Sequence, residues 1–249
     1  MSFPPRISVL TFNLWNTEKW EDREEVLSSF LAAYDPDILC FQEVRSRTLA
    51  AIDGMLAGHL RVRDSLRGWS EEGTIYFRAS LFQETGHGAV DLAMPEPDRR
   101  LFWVRLGVGD AGKTILVCTV HLTHQENADE MATGLSYRHA ETHAIVRAMP
   151  ELACEGEATL VCGDFNDPIH PARILSGIGF REVFNSLGLV QPVTFPCRPI
   201  SEEIHVTEAI DKIMARGPLF PLLAAVPRYY AHGKCASDHW PVLAVYGLR

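Results

Sequence analysis

Residues 158–166 read ATLVCGDFN, an apolar run that ends in a glycine, an aspartate, a phenylalanine and an asparagine. The run Ala158–Cys162 is short and apolar, which is typical of a buried β-strand. Gly, Asp and Asn also form turns, so GDFN alone is equally typical of a β-turn. A strand-like run followed at once by polar side chains recurs along the chain, and this recurrence predicts the fold.

Polar residues stand at or near the ends of six such runs: Asn13, Glu43, His121, Asp164 with Asn166, Asp211, and Asp238 with His239. Side chains at the ends of neighbouring strands meet at one sheet edge, even when they are far apart in sequence. Carboxylates and amides are ligands suited to Mg²⁺, and histidine handles protons near neutral pH. Each residue alone is more typical of a turn, cap or surface position. Their joint occurrence indicates a magnesium-dependent phosphoester hydrolase.

The apolar runs predict these strands: Ile7–Phe12, Asp37–Phe41, Thr74–Arg78, Leu101–Leu106, Thr114–Val120, Ala158–Cys162, Ala209–Met214, Pro221–Val226 and Pro241–Tyr246. Helical periodicity follows Glu21-Asp22 as far as Tyr34 and recurs over Leu135–Leu152, with a weaker helix at Ser46–Leu56. Most strands follow one another without a crossover helix, which favours two largely antiparallel or mixed sheets with helices outside. Without a repeat or linker, residues 1–249 are expected to form a single domain.

Composition limits the class of partner. The 249 residues hold 23 Lys and Arg against 32 Asp and Glu, a formal net charge of −9. This excess argues against a general polyanion binder, although a bound divalent cation still allows a phosphate-bearing substrate. No apolar stretch approaches the length of a membrane span, and the first residues do not resemble a secretory signal. Cys40, Cys118 and Cys162 lie in apolar runs and are expected to be buried thiols, so a cytoplasmic protein is expected.

Six motifs carry a family resemblance: TFNLWN (11–16), FQEV (41–44), HL (121–122), GDFN (163–166), IDKI (210–213) and SDHWPV (237–242). In order and spacing they resemble the endonuclease/exonuclease/phosphatase superfamily, which includes deoxyribonuclease I and the abasic-site endonucleases. The resemblance implies an α/β fold, a four-layer α-β-β-α sandwich with two central mixed, mostly antiparallel sheets. It also implies a Mg²⁺ or Mn²⁺ site at one sheet edge and hydrolysis of phosphoesters.

The resemblance also implies roles for the metal site and the attacking water. Glu43 would be the principal metal ligand, helped by Asn13 and Asp238. Asp164 would orient or deprotonate the attacking water, and Asn166 would hold the phosphate or the nucleophile.

Two histidines would act on the phosphate itself. His239 would contact the scissile phosphate, oriented by Asp211, and His121 would stabilise the transition state or assist the leaving group. Some family members pair the latter histidine with a carboxylate, for which Glu71 and Glu72 are both candidates.

Substrate-binding features are less distinctive. Arg138, at the start of a predicted helix, is a tentative substrate-binding residue. Other aromatic and basic residues could stack a base or hold a phosphate, although each is more typical of core or rim: Trp15, Trp20, Trp69, Arg99, Arg100, Arg228, Tyr229, Tyr230 and Lys234. His124 is more typical of a loop than of a second metal site. Thr123–Thr133 is expected to be a mobile loop, with Glu126, Asp129, Glu130 and nearby Glu141 repelling a long duplex.

Three substrate classes follow from the resemblance. A phosphodiesterase or nuclease acting on short or single-stranded nucleic acid or nucleotide ends ranks first, because it is the commonest implication of the resemblance. The SDHWPV ending and the small size are also similar to those of tyrosyl-DNA phosphodiesterases. A phosphatase of a small phosphorylated metabolite or inositol phosphate is second, and a sphingomyelinase-like activity third. A non-catalytic binding module is disfavoured, because no motif position is lost. The expected partner is the phosphoester substrate, with no membrane and no obligate protein partner.

Overall fold

The computed structural model describes residues 6–109, 112–197 and 207–248. The strands are β1 (Arg6–Asn13), β2 (Ile38–Gln42), β3 (His59–Arg61), β4 (Thr74–Arg78), β5 (Phe82–Val90), β6 (Leu101–Val108), β7 (Lys113–His121), β8 (Ala158–Asp164), β9 (Arg181–Glu182), β10 (Asp211–Arg216), β11 (Leu219–Ala225) and β12 (Val242–Leu248). The α-helices are α1 (Trp20–Tyr34), α2 (Ser46–Met55), α3 (Ala128–Thr133), α4 (Tyr137–Leu152), α5 (His170–Ser176) and α6 (Val183–Ser186).

The strands form two six-stranded sheets. The first has the order β11-β12-β1-β2-β4-β3 and the second β5-β6-β7-β8-β10-β9. The neighbours β1 and β2 are parallel, as are β7 and β8, while the other named pairs are antiparallel. The prediction of mixed, mostly antiparallel sheets is therefore confirmed.

Strand alternation builds the layers. In β1, Ile7 and Val9 face the core between the two sheets, whereas Leu10 and Phe12 face the helices on the outside. This is the two-residue period of a strand whose two faces are both covered. One outer core holds α1 and α2 side chains and the other holds α4 and α5 side chains, so the four-layer sandwich is confirmed.

Helix α1 forms where the apolar period predicts it. Val26, Leu27, Phe30 and Leu31 are buried against the first sheet. Acidic residues in the first turn interact favourably with the positive end of the helix dipole. Across the described ranges, no helix has both the length and the apolar character that a membrane crossing requires.

Gly163 allows the neighbouring strands β7 and β8 to lie close together. It has a φ of 141°, and a Cβ at this position would lie 1.9 Å from the carbonyl oxygen of Val120. Gly163 and Asp164 therefore belong to the strand, and the chain turns only after them. The β-turn that GDFN alone could form is not what the structure shows. The close approach fixes Asp164 directly opposite His121 in the sheet register.

Candidate active site

The inward-facing rows of four strands end in polar side chains at one end of the sandwich. These are Asn13 in β1, His121 in β7, Asp164 in β8 and Asp211 in β10, and all four are buried. In the register of the second sheet, Asp164 lies between His121 and Asp211. Paired residues on neighbouring strands point to the same face. The alternation that fills the core therefore also assembles the site.

Asn13 connects acids that come from different sheets. Its Nδ2 donates hydrogen bonds to Glu43 Oε1 (3.1 Å) and to Asp164 Oδ2 (3.0 Å). Glu43 has a φ of 55°, and non-glycine residues in this left-handed region cluster at functional sites. Asn16, which the sequence analysis did not single out, donates a further hydrogen bond to Glu43 Oε2. Two amides thus hold the Glu43 carboxylate without neutralising its charge.

His121 and Glu72 form a buried pair, with Nδ1 of the ring 2.8 Å from Glu72 Oε2. Glu72 also pairs with Arg45 at 3.1 Å and lies 3.5 Å from Arg99. Burial disfavours the carboxylate, but the hydrogen bond and charge of His121 and the charges of Arg99 and Arg45 lower the pKa of Glu72 to about 2. Glu72 is therefore an anion that fixes the orientation of the imidazole.

The structure brings Glu72, rather than Glu71, to His121. Glu71 instead accepts a hydrogen bond from the exposed Arg67 at 2.8 Å. The choice depends on the 3₁₀ turn Arg67–Ser70, after which the N–H of Glu72 donates to the carbonyl of Gly68. This turn fixes the register with which the chain enters β4.

His239 is oriented by Asp211, with Nδ1 2.9 Å from Asp211 Oδ2. The ring also contacts Phe195, with centroids 4.8 Å apart. Burial opposes the imidazolium, but the charge and hydrogen bond of Asp211 and the charges of Asp164 and Asp238 raise the pKa of His239 well above its ordinary value. Burial also raises the pKa of Asp211. Both shifts favour a proton held between the two side chains.

Asp164 Oδ2 lies at the centre of the site, 3.6 Å from His121 Nε2 and 3.8 Å from His239 Nε2. Its Oδ1 accepts a hydrogen bond from the backbone N–H of Asn166 at 2.9 Å. Asn166 has a φ of 49° and donates Nδ2 to the carbonyl of Leu122 at 2.8 Å. Both imidazole Nε2 atoms and one carboxylate oxygen thus converge on one small volume.

These side chains line a cavity of about 750 Å³, a size typical of small-molecule sites. On one side of it, Gln125 donates a hydrogen bond to Glu208 at 2.6 Å. Of the lining residues within the described ranges, Arg99 alone is Lys or Arg, and its Nη1 donates to the carbonyl of Leu122. His124 also lines the cavity. Carboxylates therefore outnumber the single guanidinium in the described wall of the cavity.

The donor set fits a divalent cation. Glu43, Asp164 and Asp238 bring carboxylates into one cavity, and Asn13 holds two of these carboxylates through its Nδ2. Burial raises the pKa of Asp238, and the charge of Glu43 adds to this, although His239 opposes it. Oxygen donors whose negative charges destabilise one another are suited to Mg²⁺ or Mn²⁺. The residues present could hold such an ion.

Arg23 links the two segments that carry these donors, and sequence reasoning missed it. Its buried guanidinium donates hydrogen bonds to five backbone carbonyls: those of Leu14, Trp15, Asn16, Glu18 and Ala236. Burial lowers the pKa of Arg23 to about 10, which still leaves it protonated at neutral pH. Arg23 thus ties the segment after Asn13 to the segment before Asp238.

Arg138 does not reach the cavity, contrary to the tentative prediction. Its guanidinium is buried, with Nη2 2.8 Å from Glu130 Oε2 and Nη1 2.8 Å from the carbonyl of Thr123. The position at the start of α4 turns the side chain inward, because α3 packs against it through Glu130. Arg138 therefore supports the segment that follows β7.

Two expectations about the rim also need correction. Residues 123–133 are not all loop, because α3 occupies Ala128–Thr133 and Asn127 caps it. Of the four acids expected to repel a duplex there, Glu130 and Glu141 are buried, the latter bonded to Thr123.

The aromatic and basic candidates are mostly structural. Trp20 and Trp69 are core residues, and Arg100 and Lys234 form ion pairs with Asp91 and Asp22. Trp15 is half-buried beside the guanidinium of Arg23. Arg99 is the only one of these candidates that lines the cavity.

The four-layer sandwich carries an acidic, histidine-lined cavity, and the family match identifies this fold and cavity as those of a phosphoesterase. The chain belongs to the Endonuclease/Exonuclease/phosphatase family, whose family model matches residues 10–239. No curated protein matches the sequence.

Solved structures share the fold at low identity. D. rerio TDP2 complexed with single strand DNA product has a TM-score of 0.79 at 19% identity, covering 97% of this chain and 98% of that chain. TDP2 from C. elegans gives 0.78 at 18% identity, covering 99% and 77%. The Bacteroides thetaiotaomicron mannosyl-6-phosphatase Bt3783 gives 0.77 at 20% identity, covering 96% and 99%.

Proposed function

We propose that this phosphoesterase is a Mg²⁺- or Mn²⁺-dependent hydrolase acting at the ends of short or single-stranded nucleic acid or on nucleotides. The observation that carries the proposal is the position of Asp164 Oδ2, within 4 Å of the Nε2 atoms of both His121 and His239. A phosphoester repels hydroxide, so its hydrolysis needs a cation, donors on the phosphoryl oxygens and a positioned water. The cavity holds groups suited to each task.

Glu43, Asn13 and Asp238 would hold the metal ion. When bound, the ion would stabilise negative charge on the phosphoryl oxygens. The hydrogen bonds from Asn13 and Asn16 keep Glu43 oriented without neutralising it, so its charge remains for the cation. Arg23 would keep Asn13 and Asp238 at a fixed separation through the carbonyls that it binds.

The remaining residues would divide the proton and phosphate chemistry. Asp164 would orient the attacking water and accept its proton, and Asn166 would hold the phosphate or that water. His239, protonated beside Asp211, would donate to a phosphoryl oxygen. His121, oriented by Glu72, would stabilise the transition state or protonate the leaving group. Each imidazole uses Nδ1 for its carboxylate, which leaves Nε2 for the substrate.

The cavity supports an end-acting enzyme rather than one that grips a duplex. Its volume of about 750 Å³ suits one nucleotide or a similar group. Arg99 offers one cation, whereas duplex binding draws on many phosphate contacts. The net charge of −9 points the same way.

A linear single-stranded oligonucleotide and a closed circle of the same sequence test this proposal. Both are incubated with protein stripped of metal by EDTA, without and with added Mg²⁺. We expect Mg²⁺-dependent release of a terminal nucleotide or phosphate from the linear strand only. The Asp164→Asn variant should release neither. Equal cleavage of the circle would contradict end specificity, and activity that is indifferent to EDTA would contradict the metal requirement.

A second candidate is a phosphatase of small phosphorylated metabolites. The acidic wall favours it, because Glu126 and Glu208 suit hydroxyl groups better than a phosphate backbone, and Arg99 suffices for one phosphate. Sugar phosphates and inositol phosphates belong in the same assay. A kcat/KM for one of them well above that of every oligonucleotide would select this candidate.

A cytoplasmic location is also part of the proposal. It is supported by Cys40, Cys118 and Cys162, which are free thiols buried in the cores. Fractionation of cells that produce the protein tests it, and recovery outside the cytoplasmic fraction would contradict it.

A further inference from the structure

A second group of metal-ligating side chains lies outside the cavity, where α4 packs near α5. His139 belongs to the first turn of α4, Asp167 follows the GDFN segment, and His170 is the first residue of α5. Each offers one ligand atom, and these three atoms all lie within 4.8 Å of one another. None of the three lines the proposed catalytic cavity.

The carboxylate of Asp167 is held in place by the backbone. Its Oδ1 accepts hydrogen bonds from the N–H groups of Ile169 (2.7 Å) and His170 (2.8 Å). Its Oδ2 lies 3.1 Å from His170 Nδ1. Asp167 is buried, so this oxygen is a fixed anionic donor directed at the imidazole rather than a mobile surface acid.

The two imidazoles lie close together although they come from different helices. The ring centroids of His139 and His170 are 4.8 Å apart, with an interplanar angle of 52°. Two protonated rings at this distance would repel each other, whereas two neutral rings present lone pairs. A hydrogen bond between Asp167 and His170 explains why these two side chains are in contact. It does not explain why the His139 ring lies beside them.

We propose that His139, Asp167 and His170 bind a first-row transition-metal ion, with Zn²⁺ the ion that the donor set fits best. Two imidazoles and one carboxylate are typical ligands of Zn²⁺, and one position remains for water. Mg²⁺ and Ca²⁺ prefer all-oxygen sets, so this site differs in selectivity from the catalytic one.

The location gives the ion a structural consequence. Asp167 directly follows Asn166 of the proposed active site, and α4 follows the segment whose residues line the cavity. A metal bond between His139 and His170 would fasten α4 to α5 beneath that segment. The ion would thus link the two helices that cover the outer face of the second sheet.

Calorimetric titration of Zn²⁺ into protein without a polyhistidine tag tests the site. His139→Ala and His170→Ala are compared with His143→Ala, an exposed histidine one turn further along α4. We expect each of the first two variants to lose one site or to bind there at least about 100-fold more weakly. His143→Ala should bind as the wild type does, and any Zn²⁺ bound in the catalytic cavity contributes equally to all four proteins.

Co²⁺ and thermal unfolding provide readouts that are independent of activity. Co²⁺ at this site should give the visible absorption of an imidazole-ligated, low-coordinate ion in wild type and His143→Ala only. Zn²⁺ at about 100 times its Kd should raise the Tm of these two proteins by roughly 5–11 °C more than that of His139→Ala. The proposal is overturned if His139→Ala and His170→Ala bind Zn²⁺ like the wild type, or if His143→Ala loses binding equally. These measurements do not depend on the proposed hydrolytic activity, so failure of the hydrolysis assays would leave the test of the Zn²⁺ site unaffected.

Discussion

At the scale of single residues, Asp164 makes the most telling contacts. It accepts hydrogen bonds from Asn13 and from the N–H of Asn166, and it lies close to His121 and His239 in the cavity. An aspartate so placed can accept a proton from water without moving.

Asp164→Asn should therefore lower kcat for any hydrolysed phosphoester by about 10³-fold, because general-base catalysis contributes factors of this order. The fold should survive, since the amide has the same shape and the sheet pairing is unchanged. Steady-state kinetics with Mg²⁺ measure the loss, and circular dichroism checks the fold. Asp129→Asn, on the exposed side of α3, is the matched control and should retain full activity. A kcat near that of the wild type would contradict the assigned role.

Glu72 leads to a pH prediction. Its pKa of about 2 in the folded protein lies below the value of 4.5 for a free glutamate. A lowered pKa means that Glu72 stabilises the fold above pH 4.5, and that this contribution disappears as the pH falls from 4.5 towards 2. The shift in pKa corresponds to about 3 kcal/mol of the free energy of unfolding.

Urea unfolding at several pH values tests this prediction. Across this range, the wild type should lose more free energy of unfolding than Glu72→Gln does. Glu71→Gln is the control, since Glu71 pairs with an exposed arginine, and its curve should run parallel to that of the wild type. Parallel curves for Glu72→Gln and the wild type would refute the prediction.

The site residues differ in how visible they are in the sequence. Asn13, Glu43, Asp164 and Asp211 could be found because each ends, begins or directly follows a recognisable apolar strand. Asn16 could not, because its contact with Glu43 depends on a left-handed backbone at positions where the chain has no glycine. The choice between the neighbouring residues 71 and 72 likewise depends on the 3₁₀ turn before β4, which has no apolar period.

At the scale of elements, Arg23 shows how a helix can organise loops. It lies on α1, yet the hydrogen bonds of its guanidinium go to carbonyls outside that helix. Five acceptors around one guanidinium replace the solvation that burial removes, and deleting the donor would remove one hydrogen bond from each of these carbonyls.

Arg23→Met should destabilise the protein by about 3 kcal/mol, which corresponds to a fall in Tm of roughly 6–12 °C. It should also raise the Mg²⁺ concentration needed for half-maximal activity, because the segments carrying Asn13 and Asp238 are no longer tied together. Calorimetry and a Mg²⁺ titration of activity measure the two effects. Arg47→Met removes an exposed ion pair with Glu21 on neighbouring helices and should change neither value. If Arg23→Met shows the same Mg²⁺ dependence as the wild type, Arg23 contributes to stability but does not position the metal ligands.

The elements that the sequence analysis missed are either incompletely buried or too short to show a period. Strand β5 (FQETGHGAV) lies at a sheet edge and is mostly half-buried, so no apolar run marks it. Helices α3 and α5 have six and seven residues, too few for a helical period to stand out. By contrast, the buried central strands and the long helices α1 and α4 could be predicted, because burial imposes their pattern.

At the scale of the whole molecule, the excess of acid limits how substrates approach. The net charge is −9, and the described wall of the cavity holds one arginine. Few phosphates beyond the reacting one would be neutralised by protein, so few counterions would be released on binding.

The dependence of kcat/KM on salt should therefore be shallow. For a single-stranded oligonucleotide, a plot of log kcat/KM against log salt concentration at fixed Mg²⁺ should have a slope of about −1. Arg99→Gln should flatten the plot further, whereas Arg228→Gln, an exposed arginine that does not line the cavity, should not. A slope of about −5 would indicate a track of phosphate contacts and would contradict an end-binding cavity.

The pairing of β1 with β12 has a consequence for biosynthesis. Asn13 is synthesised more than 200 residues before Asp238 and His239, and they meet only when β12 pairs antiparallel with β1. A ribosome-bound chain can assemble the second sheet, with Asp164 and His121, while the other half of the proposed catalytic machinery is still unsynthesised. If these residues act as proposed, hydrolysis has to wait until β12 has been synthesised and paired with β1, because that pairing completes the site.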